Sequence, residues 1–299
     1  HAVPMSLYKS GAIVSALIIA FRDKNEIVIE TETGSIKIGL HDNREVTSSI
    51  YNALSFGKVT DIFSGDSCKI SVSADNICII SIPAFYCSDL VENVISYKDE
   101  INKAKAIIID VRGNQGGMGA PPYELAQLFF GGEYVARNDF KTPSHNAQLH
   151  ALEPYLDEAK IDTDEWKHKQ IYHVKNHTYY ETEDNETVNF NNYDTVFNQQ
   201  TILLTDWDTA CAAEEFVDYF KMSNRALTVG STTYGSGSEA MIRELPCGAK
   251  MLLGTTWSKL CSGKEYVNLG IEPDVYVENS LEDVINGNDR VMKTAIDII

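Results

Sequence analysis

Apolar and polar positions along the chain change rhythm three times. Over the first sixty residues the pattern is strand-like. Residues 11–21 (GAIVSALIIAF) form a continuous apolar run, and EIVIETE and SIKIGL alternate around a turn at Glu32-Thr33-Gly34. A short helix is predicted over 43–55. CKISVS and NICIISI then predict two strands joined at Ala74-Asp75-Asn76. From residue 88 the period becomes helical. Ser88-Asp89 can cap a helix whose apolar positions are Leu90, Val91, Val94, Ile95 and Ile101. Ala106–Val111 (AIIIDV) is the unbroken apolar run of a strand buried on both faces, followed by a glycine-rich turn and a helix near 121–130. The order recurs as a strand at 201–204, a helix at 209–221 and a strand at 226–229, so parallel strands in an α/β core are predicted. Strands at 239–257 and in NLGIEPDVYVE, then a closing helix with a capping box at Ser280–Asp283, complete the pattern.

Residues 136–198 break this rhythm. They are polar and rich in Asn, Asp, Glu, Tyr and His, with one helix expected near 146–160, and they read as an insertion or lid. The division is a β-rich part at 1–87, an α/β core at 88–135 and 199–299, and the insertion between, all in a single domain. The chain has 299 residues, 43% of them hydrophobic, which suffices for a sizeable core. Its formal net charge of −18 disfavours nucleic acid and anionic membrane surfaces as partners. The apolar run at 11–21 is too short to span a bilayer. The chain opens on His1, which reads as the remainder of a longer chain whose signal or anchor would lie upstream.

Six cysteines show no C-x-x-C pair, so no structural zinc site is expected. His168, His173 and His177 lie close together but lack an acidic ligand at helical spacing, and a surface loop is the better reading. No metal and no cofactor are expected. Two segments carry candidate chemistry. IDVRGNQGG leaves a buried strand, and its Gly116 and Gly117 can turn backbone N–H groups toward an anion. DTACAAEEF places Cys211 at a helix start among small residues, where the positive helix end favours thiolate and Asp206 and Asp208 oppose it. Each alone has a plainer reading: a tight connection for the first, a small buried side chain for the second.

Taken in order, the segments resemble a known family. IIIDVRGNQGG is similar to the DLRGNGGG signature of the tail-specific, C-terminal-processing and tricorn-core serine peptidases, and TACAAEEF is similar to their TASASEIF nucleophile segment. Arg225–Gly230 with Thr233-Tyr234-Gly235 resembles RAVVVGEPTFG, and Leu269–Val275 resembles GVxPDI. The resemblance covers about residues 105–277 and implies a crotonase-like spiral core. It implies hydrolysis of peptide bonds in unstructured peptides or proteins, through an acyl-enzyme and without a cofactor. By resemblance Cys211 stands at the nucleophile, and Gly116, Gly117 and Ala212 at the oxyanion hole. The lysine of the processing branch is replaced by Ser236. The tricorn branch instead has a histidine about two hundred residues before the nucleophile, where His1 stands, either as the base or as an ordinary terminal residue. That branch's glutamate falls nearest Val267, with Glu265 two residues earlier as the candidate fourth member. Family members mostly work outside the cytoplasm or in the cell envelope. The alternative is a relative that has lost catalysis and binds a peptide or hydrophobic ligand.

Overall fold

The structure is a computed structural model that describes residues 26–31, 34–39, 58–130, 135–137, 140–141, 187–189, 196–236, 240–244, 250–254, 257–260, 263–280, 282–283 and 286–299. The strand expected at 11–21, the helices expected at 43–55 and 146–160, and His1 lie outside these residues.

Strands β1 (Glu26–Thr31) and β2 (Gly34–Gly39) form an antiparallel pair, as their alternation predicts. The centre of the molecule is a mixed seven-stranded sheet. It contains β3 (Val59–Ser64), β4 (Lys69–Ser73), β5 (Ile77–Ser81) and β6 (Ala106–Asp110). It continues through β10 (Gln200–Thr205), β11 (Ala226–Gly230) and β15 (Val275–Tyr276), in the order β15-β11-β10-β6-β5-β4-β3. The run from β5 to β15 is parallel, while β3 and β4 join antiparallel. Of the antiparallel strands before residue 87, β3 and β4 are therefore the flank of the same sheet, and β1 and β2 form their own pair. Smaller pairs join β7 (Val135–Arg137) with β9 (Thr187–Asn189), β8 (Phe140–Lys141) with β14 (Trp257–Ser258), and β12 (Ala240–Glu244) with β13 (Lys250–Gly254).

Both faces of the parallel strands are covered, so neighbours in the apolar runs divide between two cores. Ile107, Ile109, Cys78, Ile80 and Leu203 face a core closed by Phe85, Phe129, Phe216 and Phe220. Ile108, Ile77, Ile79, Ile202 and Leu204 face the other, with Val229, Val291 and Met292. Helices α1 (Leu90–Ser96), α3 (Ala120–Gln127) and α4 (Ala212–Ser223) lie on the first face. The short α2 (Lys98–Ile101) turns the chain into β6, and α5 (Arg290–Ile298) covers the second face. Each fully buried Ile or Phe here contributes about 1.5–3 kcal/mol relative to exposure.

Three local expectations change. Asp89 is the residue before α1, but its side chain accepts from the Asn93 amide (3.0 Å) and not from a backbone N–H. The Ser280–Asp283 box does form, with Ser280 N–H on Asp283 Oδ2 (2.8 Å) and Asp283 N–H on Ser280 Oγ (3.1 Å). The closing helix nevertheless begins at Arg290, capped by Asp289, whose Oδ1 accepts the Met292 N–H at 3.0 Å. In NLGIEPDVYVE only Val275–Tyr276 pairs as strand, because Gly270 at φ 76 and Pro273 break the run ahead of it.

Candidate active site

Parallel strands deliver their loops to one edge of the sheet, and clefts in such folds form outside the carboxyl ends of the strands. Here the loops after β6, β10 and β11 meet. Each is fixed by its own side-chain hydrogen bonds.

The loop after β6 contains the glycine-rich turn. Gly113 N–H donates to Asp206 Oδ1 (3.0 Å), and the Asn114 amide donates to the Ile82 carbonyl (3.0 Å). Gly116 N–H donates to Asn114 Oδ1 (2.8 Å), while the Gly116 carbonyl accepts from Phe85 N–H (2.9 Å). Gly116 has φ 92, and a Cβ there would stand 2.7 Å from the Cβ of Cys211 and 2.8 Å from the Ala210 carbonyl oxygen, so only glycine fits. Of the two glycines expected as donors, Gly116 thus gives its N–H to Asn114. The N–H of Gly117 hydrogen-bonds the sulfur of Cys211.

The loop after β10 is an Asp-centred turn. Asp206 Oδ1 accepts from Asp208 N–H (3.1 Å) and Thr209 N–H (2.9 Å), and the Thr209 hydroxyl donates to the Val111 carbonyl at 3.0 Å. The helix predicted over 209–221 begins only at Ala212, because Thr209–Cys211 belong to this turn. Cys211 sits at its apex with φ 54 and ψ −125. The other non-glycine positive-φ residues among those described, Asn76, Asn224 and Asn268, are all asparagine, the type that tolerates such angles. A cysteine held there, half-buried, marks a strained strand-to-helix elbow. Its sulfur also meets the N–H of Ala212.

The loop after β11 closes on Glu214, which is fully buried one turn into α4. Glu214 Oε1 accepts from the Thr233 hydroxyl (2.5 Å) and Gly235 N–H (2.6 Å). Its Oε2 accepts from Ser236 N–H (2.9 Å), the Ser236 hydroxyl (2.8 Å) and Cys211 N–H (3.1 Å). Sequence reasoning did not single out Glu214. The signal was present, since Cys-Ala-Ala-Glu has the spacing of a capping box with cysteine in the Ser/Thr place.

Charge at the site is one-sided. Burial pushes the Cys211 thiol above its ordinary value, the charge of Glu215 adds to this, and the N–H groups of Ala212 and Gly117 oppose it. Burial also raises Glu214 against the pull of its donors. Glu215 is pushed up to about 7 by burial, then by the charges of Asp218 and Glu214. Asp208 is raised to about 6 by burial and the neighbouring charge of Asp206, with the Gln115 amide (3.2 Å) opposing. Such shifts concentrate at functional sites. Among the described residues no group of His, Cys, Asp and Glu is placed to hold a metal ion. Glu265 is exposed and pairs its backbone with Lys259, and Val267 packs against the larger core. The carboxylate that accepts the Cys211 N–H is Glu214.

A strained elbow at the carboxyl end of a parallel strand, its side chain facing backbone donors from two loops, is the arrangement of α/β hydrolytic enzymes. Residues 76–277 match the model of peptidase family S41, and the chain belongs to that family. No curated protein matches the sequence. Solved structures share the fold at low identity. Mature CPAF complexed with lactacystin matches with a TM-score of 0.59 and 15% identity over 91% of this chain and 67% of that one. A candidate peptidase of Parabacteroides merdae matches with a TM-score of 0.54 and 15% identity over 99% of this chain and 84% of that one. No helix among the described residues is long and apolar enough to cross a membrane.

Proposed function

We propose that the protein is a peptidase of the tail-specific or tricorn-core type in which Cys211 replaces serine as nucleophile, on a crotonase-like core. One observation carries this reading: a cysteine strained at φ 54, with its sulfur facing the N–H groups of Gly117 and Ala212. Those two groups form the oxyanion hole, and each is worth about 3 kcal/mol against the developing charge. Gly116 shapes the hole by its lack of a side chain.

The thiol is lifted above its ordinary value, so a base must take its proton at neutral pH. We assign that role to His1. Sulfur attacks the scissile carbonyl carbon as the thiol proton passes to the imidazole. The C–N bond then breaks, and the leaving amine takes that proton. Water, deprotonated by the same imidazole, attacks the thioester, releasing the carboxyl product and restoring the thiol. Substrates are unstructured peptides or protein tails laid as a strand along the site. We place the protein outside the cytoplasm or in the cell envelope, on the family resemblance. Hydrolysis of a fluorogenic peptide library by the wild type and by Cys211→Ser tests the reading. Turnover in at least one of them supports it, and turnover in neither contradicts it.

A further inference from the structure

The nucleophile turn needs an anchor that its own helix supplies only in part. A non-glycine residue at φ 54 and ψ −125 relaxes unless its surroundings over-determine it. As the residue before α4, Cys211 also has a backbone N–H outside the helical ladder. Two oxygens take that N–H: Glu214 Oε2 at 3.1 Å, from the same helix, and Ser236 Oγ at 2.6 Å, from the loop after β11. The shorter bond is the long-range one.

The Ser236 hydroxyl has one proton, and its direction is set. It donates to Glu214 Oε2 at 2.8 Å, so its lone pairs are turned to Cys211 N–H. Ser236 N–H donates to the same carboxylate at 2.9 Å, which fixes the serine backbone as well. A directed chain results, from Cys211 N–H through the Ser236 hydroxyl to the Glu214 carboxylate, and each link polarises the next. Alanine could fill the space but not accept. Lysine, an obligate donor, could reach the carboxylate but not take the Cys211 N–H. Serine at this position therefore does something that neither alternative does.

We propose that Ser236 is the positioning residue of the site: bonded to Glu214, it holds the Cys211 backbone in the elbow and so keeps the sulfur against the N–H groups of Gly117 and Ala212. This rests on the reading of Cys211 as nucleophile. It adds a device by which the loop after β11 controls the residue that precedes α4.

The test compares wild type, Ser236→Ala and Ser236→Thr, with folding checked by near-UV circular dichroism and Tm. Two readouts are taken: kcat and KM on a cleaved peptide, and the rate of iodoacetamide alkylation at Cys211 by peptide-resolved mass spectrometry. Removing the hydroxyl lowers kcat by about 10- to 100-fold with KM within about threefold, because the nucleophile is misplaced while substrate contacts remain. Alkylation of Cys211 slows by about tenfold. Threonine restores both to within about threefold of wild type. The proposal is overturned if Ser236→Ala matches wild type in alkylation, or if Ser236→Thr is as impaired as Ser236→Ala. Alkylation needs no peptide turnover. If no form cleaves peptides while alkylation still separates alanine from threonine, the peptidase reading fails and the positioning role stands.

Discussion

At the end of β6, Asp110 and Asp289 share the guanidinium of Arg112, with ion pairs of 2.7 and 2.8 Å. Beyond the end of the neighbouring β10, Glu214 and Glu215 act on Cys211, and Asp206 and Asp208 lie in the turn that leads to it. Both groups are largely buried, both sit past the ends of parallel strands, and both contain carboxylates. At the first, burial alone would raise Asp289, but the charge and hydrogen bonds of Arg112 outweigh it and hold that carboxyl low. At the second the partners are N–H and O–H dipoles, and every shifted group moves up. A triad centred on a buried cation fastens the start of α5 to the sheet. A group met by such dipoles holds its thiol above the ordinary value and leaves Asp208 and Glu215 poised to change charge near neutrality. The difference separates a fastening from the site proposed to be reactive.

The largest expected effect falls on the fastening. Arg112→Met leaves two buried carboxylates without their cation and is expected to cost about 3–5 kcal/mol, read by urea unfolding. A loss below 1 kcal/mol would mean that the triad is not the clamp described. Next comes Gly116→Ala, whose Cβ meets Cys211 and Ala210 at 2.7–2.8 Å. Displacing the sulfur by about 1 Å is expected to lower kcat about 100-fold. Retained activity would show that the turn yields without moving the nucleophile.

The two centres also answer pH with opposite sign. Asp289, held low, contributes stability above the usual carboxylate range and loses it as pH falls into the acid range. Asp208, raised to about 6, favours the fold below about pH 4, and that contribution is lost as pH rises through 6. Asp208→Asn is therefore expected to match wild type near pH 4 and to exceed it above pH 6 by about 1–3 kcal/mol. A stability difference that does not vary between those pH values would contradict the assignment. The smallest effect concerns Glu215, which lifts the thiol. Glu215→Gln is expected to speed Cys211 alkylation at pH 7, because removing that charge favours the thiolate. An unchanged rate would remove Glu215 from the electrostatics of the sulfur.

Much of this was legible in the sequence. The run Ala106–Val111 announced a strand buried on both faces, and the order of strand, helix and strand announced parallel pairing. Cys211 and the Gly116-Gly117 turn could be found because their neighbours repeat a family pattern. The hidden parts depend on residues distant in sequence. Periodicity does not show that β3 and β4 extend the same sheet, since pairing partners are set by tertiary packing. Ser236 and Thr233 reach Glu214 across about twenty residues, and no local pattern encodes that closure. Glu265 carried its expectation by spacing alone, and its exposed place beside Lys259 follows from a turn at Gly263.

The central claim is that Cys211 carries the acyl group. Wild type and Cys211→Ala would each be mixed with an activated peptide ester, quenched in acid within seconds and examined by intact-mass and peptide-resolved mass spectrometry. The account predicts an acyl adduct on Cys211 that builds and decays as peptide is released, and neither adduct nor turnover in Cys211→Ala. Turnover that persists in Cys211→Ala, or an adduct borne by another residue, would contradict it.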